Sequence, residues 1–189
     1  MSACEYDIRI FDSPEALRDT IFELNKSNNR SRLLAGYCWQ WVSRNDASKF
    51  DIEFEGTNFA MKWNLTSDGS NWMIAPNSIH EVGCIHTCQG LEGDYMGVIV
   101  GPDLEAAGDR LVGRADGRAK HDKSLQGLKA ALSDNPVEAN KKADRLIRNT
   151  YRTMMTRGMV GTFIYCHNPE VAHFLKTSLQ LSGYHHHTS

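Results

Sequence analysis

Apolar and polar positions along this chain repeat with two different periods, and the switches between them predict its elements. Residues 6–11 alternate as a half-buried strand does, with Tyr6, Ile8 and Ile10 on one face. Asp12-Ser13-Pro14-Glu15 then opens a helix: Ser13 suits the N-cap, Pro14 suits the first helical position, and Asp12 with Glu15 has capping-box spacing. Leu17, Ile21 and Leu24 form the stripe that packs this helix on a sheet, and residues 25–30 are its polar stop. Residues 32–42 (RLLAGYCWQWV) are apolar enough for a strand covered on both faces. Residues 50–65 alternate again, as a hairpin would. Ser67-Asp68-Gly69-Ser70 is a turn cluster, and Pro76-Asn77-Ser78 marks a short irregular segment.

The central stretch is 84–101, CIHTCQGLEGDYMGVIVG, in which strand-length apolar runs flank the polar loop Thr87–Asp94. Such a loop at the end of a sheet is where an α/β domain presents polar side chains, and Gly90 and Gly93 let a ligand approach the main chain. Residues 109–123 carry Arg110, Arg114, Arg118, Lys120 and Lys123 among acidic residues and glycines; with no helical or strand period, they read as a long mobile loop. A short helix is expected over 124–132. Asn135-Pro136-Val137-Glu138 opens a longer one, whose stripe runs Ala139, Ala143, Leu146, Ile147, Thr150, Tyr151, Met154 and Met155, with Gly158 closing it. Residues 160–166 read as a buried strand. Asn168-Pro169-Glu170 begins a last helix with Phe174, Leu175 and Leu179 facing in, ended by Gly183. Strands alternating with helices predict an α/β fold, a mostly parallel sheet with helices on both faces.

Composition narrows this picture. A chain of 189 residues fits one domain, 1–183, followed by a frayed tail at 184–189 that holds His185-His186-His187. The net charge of -2 gives no general nucleic-acid footprint, so any such binding must use a local patch. The densest basic stretch, with Arg114, Arg118 and Lys120, is the candidate for contacting phosphates. Five cysteines, an odd number with no secretory signal ahead of them, indicate a reducing, cytoplasmic setting. No apolar run approaches the roughly 18 residues of a membrane span.

Two stretches carry a resemblance. IHTCQGLEGDYMGVIVG resembles motif V of superfamily 1 helicases, and IRNTYRTMMTRGMVGTFIYC resembles their motif VI, ending in Thr-Arg. With LLAGYCWQW near residue 40, they make the chain similar, from Tyr6 to about Leu175, to the Schlafen group 3-like DNA/RNA helicase family. The resemblance implies the second RecA-like domain of such an enzyme or of a nucleic-acid-dependent ATPase. Arg157 would be the arginine finger, Glu92 would bond the nucleotide ribose, and Gln89 and Gly90 would adjoin them. Arg148 would face phosphate, and His86 and Thr87 would touch the backbone of a single strand. ATP and Mg2+ would be held mainly by a P-loop RecA-like partner domain, in cis or in trans. No G-x-x-x-x-G-K-[ST] occurs here, so this chain alone is expected to be inactive. The alternative is a stand-alone nucleic-acid-binding or regulatory module that has lost ATPase activity.

The sequence departs from the family pattern at Gly93, where relatives carry Phe, and at Arg152, where many carry Tyr, with Tyr151 beside it. Read from residues alone, Arg157 is a helix cap and Glu92 a solvated charge. YMGVIVGPDLE, with Asp103 and Glu105, superficially resembles a Walker B strand but is read as the strand after motif V. Cys84, His86 and Cys88 would share one face of an extended segment, with Cys166-His167 as further ligands; Cys-x3-Cys on a strand chelates poorly, so no metal site is assigned. Trp39, Trp41, Trp63 and Trp72 could stack on unpaired bases, but tryptophans at strand spacing are read first as core or sheet surface; Trp63 and Trp72 are the better candidates for exposure.

Overall fold

A computed structural model describes residues 6–64, 71–120, 122, 127, 131 and 133–183. In chain order the elements are β1 (Asp7–Phe11), α1 (Pro14–Asn25), β2 (Ser31–Ala35), β3 (Ile52–Glu53), β4 (Ala60–Trp63), a 3-10 turn (Pro76–His80), β5 (Glu81–Gly83) and α2 (Ile85–Cys88). There follow β6 (Gly93–Val100), β7 (Leu104–Ala107), β8 (Arg110–Gly113), a 3-10 turn (Ala115–Gly117), α3 (Pro136–Met155), β9 (Gly158–Cys166) and α4 (Pro169–Leu181).

A 7-stranded sheet runs β1-β9-β6-β2-β5-β4-β3. Every pairing in it is parallel except the edge pair β3–β4. Alternate residues therefore serve opposite faces. Leu33, Ile99 and Phe163 meet Leu17 and Ile21 of α1 on one side, while Leu34, Val98 and Ile164 meet Ile147, Tyr151 and Met154 of α3 and Val171 of α4 on the other. The antiparallel hairpin β7–β8 joins the second face. This is the α/β, RecA-like arrangement with helices on both faces.

Local chemistry sets the helix starts. Ser13 caps α1 by accepting from Ala16 N (3.1 Å), Asn135 caps α3 by accepting from Glu138 N (3.2 Å), and Asn168 caps α4 by accepting from Glu170 N (2.9 Å). Proline follows each cap.

Other expectations are corrected. The strand expected over 32–42 stops at Ala35, because the next residue passes against the Tyr151 hydroxyl: a Cβ on Gly36 would lie 2.0 Å from it. Extended backbone expected at 84–88 is instead the helical turn α2, which removes the alternation that put Cys84, His86 and Cys88 on one face. Cys84 N donates to Thr87 Oγ1 (3.3 Å), and Thr87 N returns a bond to Cys84 O (2.9 Å). The long loop begins as strand β8 and a 3-10 turn, since Ala106 and Leu111 of the hairpin pack on the core. Gly158 opens β9 rather than closing α3, which ends at Met155 with Thr156 as its C-cap. Trp63 and Trp72 are 1% and 0% exposed and belong to the interior. The turn at 67–70 and the tail at 184–189 lie outside the described residues, as does most of the helix expected over 124–132.

Arg32, read as part of an apolar strand, is fully buried and makes no ion pair with a carboxylate among the described residues. Its guanidinium donates to Ser78 Oγ (2.8 Å), Asn25 Oδ1 (2.7 Å), Asn29 Oδ1 (3.0 Å), Ser31 O (2.8 Å) and Ala75 O (3.1 Å). Burial lowers its pKa to about 10, which leaves it cationic at neutral pH. Arg32→Leu is expected to lower stability by about 2–3 kcal/mol, because those acceptors lose their donor inside the protein. Urea unfolding measures it, and an unchanged midpoint would mean water replaces the guanidinium.

Candidate functional site

In a parallel sheet all strand ends of one kind lie along one edge, and this fold sorts the candidate residues between the two edges. At the N-terminal edge, Gly93 of β6 pairs with Gly158 of β9, and Gly93 N donates to Arg157 O at 3.0 Å. That bond places Glu92 beside Arg157 although they are far apart in sequence. Arg157 is half-buried; its Nε donates to Thr153 O (3.2 Å), and its terminal nitrogens make no bond among the described residues. Glu92 and Gln89 are exposed, and Gly90 turns the chain between them with φ +81°. Beneath them lies Cys88, whose thiol burial pushes up to about 11, with the nearby Arg157 charge opposing.

Sequence reasoning missed two further charges on this edge. Arg30 Nε reaches Asp94 Oδ1 at 2.9 Å, and Asp94 N donates back to Arg30 O at 2.7 Å. Their signal was position, since each stands at the start of a strand. The departure at Gly93 also finds its reason here: a Cβ there would fall 2.5 Å from Met73 Cε and 2.6 Å from Arg30 O. Buried Met73 and the Arg30 carbonyl leave no room for a side chain there.

The C-terminal edge collects a different set. α2 starts just past β5, so His86 is exposed there, and Thr87 Oγ1 donates to Asn64 Oδ1 at 2.7 Å. Arg114 and Lys120 hang from the same edge: Arg114 N donates to Asp103 O (2.7 Å), and Ala119 N donates to Tyr37 O (3.0 Å). Arg114 is exposed, within 3.8 Å of Glu105 and 3.4 Å of Asp116. Residues 84–92 run between the edges and so connect the two groups.

Two candidates stand apart. Arg118 is not on a solvent loop; its side chain is 1% exposed, 3.2 Å from Asp103 and 2.8 Å from Asp122. Asp103 also accepts from the Tyr151 hydroxyl, which itself accepts from Gly101 N (2.9 Å). Burial pushes the Asp103 carboxyl up against the pull of Arg118, and raises Tyr151 well above the usual phenol value. Asp103 is thus a buried structural partner. Arg148 forks onto Asp144 (2.9 Å), and Asp144 also accepts from Gly113 N (2.7 Å), which holds Arg148 toward β8 rather than beside Arg157.

The description "Schlafen group 3, DNA/RNA helicase domain" matches residues 2–168, nearly the whole chain. The chain belongs to that family. An uncharacterized protein of Saccharomyces cerevisiae is 28% identical to this Schlafen group 3 helicase domain over 170 residues, covering 88% of the chain. The chain spans only 36% of that yeast protein's length. No solved structure matches it. Among the described residues of the helicase domain, no helix is long and apolar enough to cross a membrane.

Proposed function

We propose that this chain is the second RecA-like half of a nucleic-acid-dependent ATPase of the helicase type. The observation that carries the reading is the bond from Gly93 N to Arg157 O, which brings Glu92 next to Arg157 at one edge, with Gln89 earlier on the same loop. A carboxylate and an arginine with free terminal N–H groups suit the ribose and the terminal phosphate of ATP approached from one side. The other side, a P-loop with Mg2+, belongs to the partner domain; the motif is absent from this sequence. When bound there, Mg2+ and ATP supply the phosphoryl chemistry, and this chain's part is to place Arg157 against the charge that develops. The strand would lie along the opposite edge, at His86, Thr87, Arg114 and Lys120. The segment 84–92 would then join strand occupancy to nucleotide contact.

The test is strand binding by the chain itself, followed by fluorescence anisotropy with a labelled 30-nucleotide single strand of DNA or RNA. Affinity is expected to fall steeply with salt. Replacing Arg114 and Lys120 with Ala should flatten the log–log slope by about 1.4, or about 0.7 for each lost phosphate contact on a single strand. Replacing buried Arg118 would test folding instead. A slope that both substitutions leave unchanged would remove these residues from the interface, and no binding at low salt would overturn the strand-binding reading.

A further inference from the structure

After β2 the chain leaves the sheet at Gly36 and forms no helix or strand through residue 50. This segment is rich in rings that the core does not fully cover. Tyr37, Trp39 and Trp41 are half-buried, while Val42 and Phe50 are 39% and 43% exposed. The loop is nevertheless firmly held. Asp51 accepts from Ser43 N (2.7 Å), Ser43 Oγ (2.6 Å) and Trp63 N (2.9 Å). Trp63 Nε1 donates to Trp39 O (3.2 Å), and the Trp39 ring stands edge-on to Phe54 at 5.6 Å. Cations accompany the rings: the Arg44 guanidinium is 5.9 Å from the Trp41 ring centre and the Lys62 ammonium is 5.5 Å from that of Phe50. Arg44 makes no ion pair among the described residues.

The loop also sits between the basic and motif V segments. On one side Tyr37 O holds Ala119, next to Lys120; on the other, Trp63 adjoins Asn64, which accepts from Thr87. We propose that loop 36–50 is a stacking platform for the unpaired bases of a single nucleic-acid strand, with Trp39 and Trp41 as its rings and Arg44 as its cationic flank. The proposal rests on the strand-binding reading above and adds a contact of another kind. Phosphate contacts position a strand, whereas rings and guanidinium planes take up the flat faces of its bases without regard to sequence. A rigid loop suits this role because little order is lost on binding. The competing account is that these rings only extend the core around Phe54 and Tyr165.

The experiment compares two strands of equal length and charge: oligo-dT, and an abasic strand with the same sugar-phosphate backbone. With the unaltered chain, oligo-dT is expected to bind at least about tenfold more tightly, since stacking on aromatic rings is worth roughly 5- to 150-fold per base. Trp41→Ala and Trp39→Ala should each weaken oligo-dT binding within that range and leave abasic binding and the salt slope unchanged. Trp41→Phe should retain most of the affinity. Equal affinity of the unaltered chain for the two strands would overturn the platform while leaving strand binding in place, and this comparison needs no variant to fold. Binding of neither strand would overturn the platform together with the strand-binding reading.

Discussion

Joined to a P-loop RecA-like domain and saturated with single strand, the Arg157→Ala chain is expected to hydrolyse ATP with a kcat lower by at least about a hundredfold; arginine fingers supply roughly 10³ to 10⁵. Arg157 stands between α3 and β9, and its carbonyl is tied to Gly93, so its backbone is fixed from both sides. Charge grows on the phosphoryl group during transfer, and a fixed guanidinium stabilises that state more than bound ATP. Affinity for ATP should therefore change much less than kcat. Arg157→Lys should fail as well, because a point charge does not reproduce the planar fork. The fold should survive, since the side chain gives up one bond to Thr153 O. Steady-state ATPase beside thermal melts decides the matter. Near-normal kcat in a folded Arg157→Ala protein would reduce the residue to a helix cap.

Arg118→Ala is expected to be among the most damaging changes to stability, at about 3–5 kcal/mol, because two buried carboxylates lose the cation between them. For a domain of this size that corresponds to a fall in Tm of roughly 10 °C. The loss should depend on pH with a definite sign. Burial already raises Asp103, so the folded chain takes up its proton more readily than the unfolded chain does. Removing Arg118 strengthens this bias. The penalty should be largest above the raised folded value and shrink as pH falls through it, so melts at pH 8 should suffer more than melts at pH 5. Changing Arg118 to Met together with Asp103 and Asp122 to Asn should restore much of the loss, since a buried ion network specifies geometry more than it adds stability. A variant as stable as the original at every pH would mean that Arg118 is solvated in the folded protein.

The long helices α1, α3 and α4 were readable because their signals are local. Ser13, Asn135 and Asn168 each lie within three residues of the N–H they accept, with proline beside them. What escaped was set by distant partners. The run 32–42 looks like one strand until Tyr151, on another face and late in the chain, takes the space beside Gly36. Arg118 reads as a surface cation until Asp103 is folded over it. Arg32 is hidden in an apolar pattern because its acceptors come from α1 and the 71–80 segment. The tryptophan ranking inverted for the same reason: Trp63 and Trp72 are buried by distant segments, while Trp39 and Trp41, on the loop after β2, are only partly packed against the core. For the site, motif resemblance supplied the residues, but only the sheet topology shows that Glu92 with Arg157 and His86 with Lys120 stand at opposite edges.

The last strand of the chain, β9, enters the sheet between the first strand and β6. During synthesis β1 therefore lacks β9, its sheet neighbour among the described residues, until residues beyond 160 have left the ribosome, while β2 and β6 can associate earlier. A nascent chain halted before that point exposes an unpaired strand on each side of a gap, a template for joining other chains. Since β9 also carries Gly158 into register with Gly93, Arg157 and Glu92 become neighbours only at this final step. Translation pauses and chaperone occupancy around the codons for β9 would thus govern yield and competence together.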